Sequence, residues 1–323
     1  MYKAFFRLDR SPFEVSPDPY FVFATPTHVE AFASLYYGIR SRKGFMVLTG
    51  EVGTGKTLVL RCLIDQLAKL RVQYVYIFNP LLSAEEFLRY MMADLNLSVS
   101  PHKDELLLRL YGYLTQRRKV DQTAALIVDE AHLLSREVLE EIRLLGNLES
   151  QSSKLLQIAL VGQPELGSRL DSPSLRQLNQ RIALRCELRP LTLEQTAEYI
   201  KWRLARAGAN GEAPLFRPEA MAEIHENSQG LPRVINTICE NLLILACGAE
   251  THVITPELVA EVCWDLRIKK SRARRRGNEP QEMPQDSADR VASLDDTERR
   301  NLTTERTEAG VVASSTLPSD SEV

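Results

Sequence analysis

No apolar run in this sequence approaches the ~20 residues a membrane-spanning helix needs; the nearest candidate, Leu242 to Gly248, is far too short. Cysteine is scarce. The five residues, Cys62, Cys186, Cys239, Cys247 and Cys263, are odd in number and lack framework spacing, which excludes a disulfide-stapled scaffold and reads as buried, reduced thiols. Neither sign of charge dominates: 40 Lys plus Arg against 43 Asp plus Glu leave a net charge of −3, so no global basic bias argues for nucleic acid. The start, MYKAFFRLDRSPF, lacks the charged-then-apolar pattern of a signal peptide, and the expectation is a cytoplasmic chain. No histidine cluster has metal-ligand spacing, and no Ser/His/Asp or Cys/His set stands out. What remains is ordinary. With 323 residues, 44% hydrophobic and 26% charged, the composition is that of a globular protein of one large or two modest domains.

Against that background one segment is specific. Residues 45–57 read FMVLTGEVGTGKT and run into LVLRCLIDQLAK: an apolar strand, a glycine-rich turn, then a helix, the order a phosphate-binding loop requires. Glycines let successive N–H groups converge on phosphate oxygens, and the helix start adds unpaired N–H groups and the positive end of its dipole. Gly50, Glu51, Val52, Gly53, Thr54, Gly55, Lys56, Thr57 and Leu58 are therefore the candidate ATP-binding stretch. Lys56 bridges phosphate oxygens and the Thr57 hydroxyl ligates Mg²⁺ in this reading.

A second element is expected and present. Residues 124–130, AALIVDE, are a continuous apolar run that ends in two acids, as for a strand buried on both faces whose carboxyl end borders a ligand site. Asp129 is the candidate Mg²⁺ holder and Glu130 the candidate that orients and polarises the attacking water. An acidic pair capping the next helix is the alternative.

The rest of the chain falls into three parts. Strands at 45–49, 73–78, 124–128, 155–161 and 182–188 alternate with helices near 57–69, 83–97, 103–119 and 135–148, which predicts an α/β fold with a parallel sheet covered on both sides. Another helix is expected over 28–42. The segment before it, 1–27, rich in proline and aromatics, is expected as an extended stretch packed on the nucleotide-binding core, which spans 1–190. After Pro190 only helical patterns follow, and 191–270 reads as a small all-α lid domain. Residues 271–323 hold 8 Arg, no Lys and 11 Asp plus Glu with few apolar residues, the composition of a disordered tail. Arg267 to Arg276 carries seven basic residues and no acid, either a solvated linker or a contact for anionic lipid or nucleic acid.

Three further residues complete the candidate site. Gln163 ends the LLQIALVG strand, beside the expected γ-phosphate, where an amide helps to position water; a plain turn residue is the alternative. Arg181, just before the last strand, is the candidate for reaching a neighbouring subunit's γ-phosphate, with surface ion pairing as the alternative. Arg233, in Gly230-Leu231-Pro232-Arg233, sits at a helix start where the dipole disfavours a cation, so an anion is expected to compensate it.

Together these residues resemble the AAA+ ATPases: phosphate loop GEVGTGKT, acidic strand end LIVDE, a polar residue on a later strand, and arginines at 181 and 233 in a lid-bearing chain. The N-terminal stretch MYKAFFRL…PFEVSPDPYFVFATPTHVEAFASLYYGIRSRKGFMVLTGEVGTGKT is similar to the ExeA/GspA group, the general secretion pathway protein A family, as are ALIVDEAHLL, LVGQPEL, LNQRIALRCELRPL and GLPRVIN. The similarity covers about residues 1–268. It implies an ATPase using ATP and Mg²⁺, a homo-oligomer with nucleotide at subunit boundaries, working in the cytoplasm or peripherally at the inner membrane. Its partner would be an envelope assembly, in secretin biogenesis, pilus formation or polysaccharide export. Relatives that assist DNA transposition leave a DNA-binding helper as a second reading, and a nucleotide-gated interaction protein with little turnover is a third. Two departures are visible. Leu58 stands where a second Thr is frequent. Secretion-type members continue into a membrane span and a peptidoglycan-binding domain, whereas the sequence here runs into the polar tail, so a cell-wall role is not implied.

Overall fold

A computed structural model of the chain describes residues 1–14, 18–150, 153–209 and 215–268. The expected tail, 271–323, and all but the first two residues of the basic run lie outside the described residues. Strands β1 (Phe45–Gly50), β2 (Gln73–Ile77), β3 (Ala124–Val128), β4 (Leu156–Gly162) and β5 (Ile182–Leu188) form one five-stranded sheet in the order β2-β3-β4-β1-β5. Every neighbouring pair is parallel. Helices α1 (Tyr2–Phe5) and α2 (Pro26–Arg40) precede β1, and α3 (Lys56–Lys69) leads from β1 to β2. Next come α4 (Ala84–Asp94) and α5 (Lys103–Lys119) before β3, α6 (Arg136–Leu145) before β4, and α7 (Pro164–Leu170) and α8 (Arg176–Asn179) before β5. Only helices follow: α9 (Leu193–Arg206), α10 (Pro218–Ser228), α11 (Pro232–Gly248) and α12 (Pro256–Asp265).

The apolar runs of β1, β3 and β4 are continuous because both sheet faces are covered. Alternate residues go to opposite faces. Phe45, Val47, Leu126, Val128, Ile158 and Leu160 pack with Phe87, Leu110 and Ile142 of α4, α5 and α6. Met46, Leu48, Ala125, Ile127, Ala159 and Val161 pack with Leu35, Ile39, Leu60 and Leu63 of α2 and α3. Gln157, the one polar residue of β4, is fully buried. Its carbonyl accepts the Gly44 N–H at 2.9 Å and its amide donates to the Lys154 carbonyl at 3.0 Å, so it carries no unpaired polar atom into the core.

Helix ends follow local chemistry. Ser83 and Glu86 close a capping box on α4, and Thr192 and Gln195 close one on α9. Helix α2 begins at Pro26, two residues before the expected start, because Thr25 is its N-cap and Pro26 its first residue. Helices α7 and α8 were not among the expected elements; each is too short to show periodicity.

The N-terminal segment departs from expectation in what it packs against. Leu8, Phe13 and Phe21 are buried with Leu191, Tyr199, Ile200, Phe216 and Leu242 of the helices that follow the sheet and their connections, not with the sheet core. The Asp9 N–H donates to the Ala207 carbonyl at 2.8 Å, the Tyr2 hydroxyl to Glu240 Oε1 at 2.8 Å, and the Arg203 guanidinium to the Pro12 carbonyl. The reason is availability: α2 to α8 already fill both sheet faces, so these aromatics complete the core of the helical layer. Each such side chain stabilises it by about 1.5–3 kcal/mol. The thiols also depart in part: Cys239 and Cys263 are buried, Cys186 and Cys247 half-buried, and Cys62 is exposed.

Candidate nucleotide-binding site

Strand β1 ends at Gly50 and helix α3 starts at Lys56, and the turn between them needs left-handed backbone. Gly53 has φ 84° and Gly55 φ 102°, where another residue costs about 1–2 kcal/mol. Gly55 is the N-cap of α3 and offers no side-chain cap, which leaves first-turn N–H groups of α3 for an anion. Lys56 is 6% exposed; its ammonium donates to the carbonyls of Gly50 at 2.7 Å and Glu51 at 2.9 Å. Burial pushes the Lys56 pKa down, Glu130, Asp129 and Glu51 oppose that, and Arg233 adds to it. The Thr54 hydroxyl donates to the Glu51 carbonyl at 2.8 Å. Thr57 stands exposed on the first turn of α3.

The acids occupy the carboxyl end of β3, two strands from β1 across β4. Asp129 is 5% exposed. One carboxylate oxygen accepts the Glu130 N–H at 2.9 Å and the other the Tyr76 hydroxyl at 3.2 Å. Burial raises the Asp129 pKa, while those hydrogen bonds and Lys56 hold it down. Burial and Asp129 push the Tyr76 hydroxyl up to about 12, so at neutral pH it keeps its proton and donates. Glu130 takes the left-handed conformation, φ 51°. Its side chain is 42% exposed overall, yet Oε2 is turned inward, without a hydrogen bond and 3.4 Å from His132 Nδ1.

Two outside groups hold the phosphate loop. His28 of α2 is buried, with Nε2 2.9 Å from the Thr54 carbonyl and Nδ1 2.6 Å from the Thr25 hydroxyl. Since a carbonyl only accepts, Nε2 carries the hydrogen and Nδ1 accepts from Thr25. Burial depresses the His28 pKa, favouring that neutral form. From the opposite side, the Arg233 N–H of α11 donates to the Gly53 carbonyl at 3.4 Å. Any Cβ at Gly53 would lie 2.8 Å from the Arg233 Cβ.

A cleft opens between the loop and the helical layer. Its wall takes in Val52, Gly53, Thr54, Gly55, Lys56, Thr57, Leu58, Glu130 and Arg233, together with Phe21, Phe23, His28, Leu191, Tyr199, Arg203 and Asn236. Of the expected site residues, Gly50, Glu51 and Asp129 are not part of this wall: Gly50 and Asp129 are buried, and Glu51 is exposed. Gln163 reaches the carboxyl end of β4 but its amide meets His132 Nε2 at 3.0 Å. Arg181 is not brought to the cleft. The next residue, Ile182, pairs with Phe45 at the start of β1, so Arg181 lies at the far end of the sheet, about 15–20 Å from the loop by strand rise. There its guanidinium donates to the Asn147 side chain and the Arg143 carbonyl.

Several cleft residues escaped sequence reasoning. Tyr199 donates its hydroxyl to Asn236 Oδ1 at 2.8 Å and accepts from Arg203 at 2.5 Å. Arg203, 5% exposed, lies 4.9 Å from the Phe21 ring centre, a cation–π contact tying the N-terminal segment to the cleft. These come from α9 and α11, far apart in the chain, and no local pattern announces them. His28 did carry a signal, the helix-start sequence Thr25-Pro26-Thr27-His28.

The donor set suits a hard cation. Thr57 and Asp129 supply a hydroxyl and a carboxylate, the oxygen ligands of Mg²⁺. Asp129 is a buried carboxylate whose two protein hydrogen bonds leave lone pairs free. Among the described residues no group of three or more His, Cys, Asp or Glu is placed to hold a metal. Bound by Thr57 and Asp129, Mg²⁺ would neutralise phosphate charge.

Comparison with known proteins agrees with this geometry. The AAA domain profile matches residues 39–170. General secretion pathway protein A of Aeromonas hydrophila is 42% identical over 259 residues, which are 79% of this chain and 46% of that protein; the chain thus spans less than half of that relative's length. Among solved structures, Drosophila ORC bound to DNA matches with a TM-score of 0.61 at 20% identity, over 82% of this chain and 66% of that one. The Aeropyrum pernix ORC1 protein in complex with DNA gives 0.58 at 16%, over 80% and 69%. Cdc6p of Pyrobaculum aerophilum gives 0.56 at 19%, over 78% and 70%. At these identities the structures speak for the fold alone. The parallel sheet, the glycine-rich loop on β1 and these matches show an AAA domain over residues 39–170 in a chain similar to general secretion pathway protein A.

Proposed function

We propose that this chain binds and hydrolyses ATP and couples the cycle to assembly or operation of an envelope secretion, pilus or polysaccharide-export system. The observation that carries the reading is the convergence on one cleft of the N–H-rich loop, buried Lys56, Glu130 and Arg233. Helices α9 to α12 act as the lid, Thr57 and Asp129 hold Mg²⁺, and Glu130 polarises the attacking water. Arg233 senses phosphate from the lid. Arg181, remote from its own cleft, serves a neighbouring subunit of a homo-oligomer. The secretion role rests on the likeness to general secretion pathway protein A. The proposed place of work is the cytoplasm or the inner membrane's surface. No helix among the described residues is long and apolar enough to cross a membrane.

Calorimetric titration of the folded chain with Mg·ATP tests the core of this reading. Binding is expected, and loss of it in Lys56→Ala by about 10-fold or more, since a charge-assisted hydrogen bond contributes ~1.5–3 kcal/mol. Glu130→Gln is expected to bind ATP and fail to turn it over. Absence of any binding heat in well-folded wild-type protein would overturn the proposal.

A further inference from the structure

His132, next but one after Glu130, joins the two strand ends whose residues flank the proposed reaction. Its Nδ1 is 3.4 Å from Glu130 Oε2, and its Nε2 is 3.0 Å from the Gln163 side-chain amide. The backbone N–H of Gln163 also approaches Nδ1, at 3.5 Å. We propose that His132 is a positioning residue for hydrolysis, relaying the position of Gln163 to the Glu130 carboxylate. The inference rests on the reading of Glu130 as the water-polarising acid.

A carboxylate accepts, so the relay needs the hydrogen on Nδ1, aimed at Glu130 Oε2; Nε2 then has a free lone pair, and the Gln163 amide N–H donates to it. The side chains thus run in line from amide to imidazole to carboxylate, and the Gln163 backbone N–H, at 3.5 Å, is the donor left facing Nδ1. The backbone that carries the imidazole is held in place: Arg169 of α7 donates to the His132 carbonyl and, at 2.7 Å, to the Leu134 carbonyl. Gly162, just before Gln163, leaves room for this turn, since a Cβ there would lie 3.1 Å from the His132 nitrogen.

The length of the last link matters. At 3.4 Å it exceeds a full hydrogen bond, and Glu130 Oε2 is otherwise buried without a partner. The carboxylate is thus restrained rather than locked, free to swing toward a water when Gln163 shifts. A movement of Gln163 near the γ-phosphate would pass through a stiff ring to the acid, so phosphate state and base position become linked. A histidine kept only for packing would need neither polar contact.

The experiment separates binding from turnover in the full-length chain. His132→Ala is expected to leave the Kd for Mg·ATP within about twofold and lower kcat about 10- to 100-fold, part of what a positioned base contributes. His132→Asn keeps a donor near the Nδ1 position and loses the reach to Gln163; partial recovery of kcat is expected, and it serves if the alanine variant does not fold. Gln163→Ala should lower kcat as well, and the double variant should be no slower than the worse single one, because both act through one line. Wild-type kcat in His132→Ala and His132→Asn, with Glu130→Gln inactive, overturns the relay alone. Additive losses, or affinity and kcat falling together with melting temperature, also overturn it. Undiminished turnover by Glu130→Gln overturns the reading of Glu130 and the relay with it.

Discussion

The phosphate loop is held from two sides, and the two holds differ in kind. On the α2 side a buried imidazole donates to the buried Thr54 carbonyl at 2.9 Å. On the α11 side the backbone N–H of the exposed Arg233 reaches the Gly53 carbonyl at 3.4 Å, near the limit of a hydrogen bond. Breaking the first leaves a carbonyl without a partner away from water, at a cost of about 1–3 kcal/mol; breaking the second exposes groups that water can satisfy. The lesson is mechanical. Helix α2 fixes the loop's shape, and α11 is the contact that releases most cheaply when the helical layer moves.

The difference can be broken or sharpened by substitution, and the largest effect is expected at Gly53. Gly53→Ala forces a Cβ into left-handed backbone and against the Arg233 Cβ, so nucleotide affinity in a titration should fall about tenfold or more. His28→Ala should follow. It orphans the Thr54 carbonyl, and urea denaturation without nucleotide should show a loss of about 1–3 kcal/mol, with weaker ATP binding. Arg233→Ala is expected to weaken ATP binding several-fold and leave urea stability unchanged, because its N–H remains. Were Arg233→Ala to destabilise the free protein as much as His28→Ala, the distinction between the holds would be lost.

A pH series separates them further. The His28 pKa is depressed in the folded protein, so its neutral form contributes stability fully above the unfolded histidine value of about 6.5. That contribution is lost as pH falls from there toward the folded value, because the unfolded chain takes up the proton first. The stability gap between wild type and His28→Gln, measured by urea denaturation, should therefore narrow below about pH 6.5, while the gap for Arg233→Ala stays flat. The smallest effect is expected from Tyr76→Phe. It removes one hydroxyl from Asp129, and the Mg²⁺ concentration for half-maximal ATP binding should shift only about two- to fivefold, as for one neutral donor of ~0.5–1 kcal/mol.

Strands β1, β3 and β4 were legible because they are buried on both faces, whereas the edge strands β2 and β5 are only partly buried and were read from their place in the alternation of strands and helices. AALIV at 124–128 and IALRCEL at 182–188 match β3 and β5 residue for residue, and the others differ from expectation by a residue at an end. The helices past 190 were legible through Thr192 and the prolines 218, 232 and 256, which stand at or next to their first turns. Among candidate site residues, the loop was placed by a contiguous strand, turn and helix, and the two acids by the apolar run of β3 that they end.

Other features had no local signature. His132 followed the acids in plain sight, yet its meaning depends on Gln163, 31 positions later. The Tyr199–Asn236–Arg203 set assembles only when α9 meets α11. Nor did the aromatics of the first 27 residues announce which surface they would cover. Sequence alone determined the form of the loop between β1 and α3, because strand, glycine-rich turn and helix are built from consecutive residues. Only the tertiary structure decided which side chains brace that loop, where the N-terminal segment lies, and that Arg181 stands away from its own cleft. Those are contacts between distant stretches, and they exist only once the sheet has set its strand order.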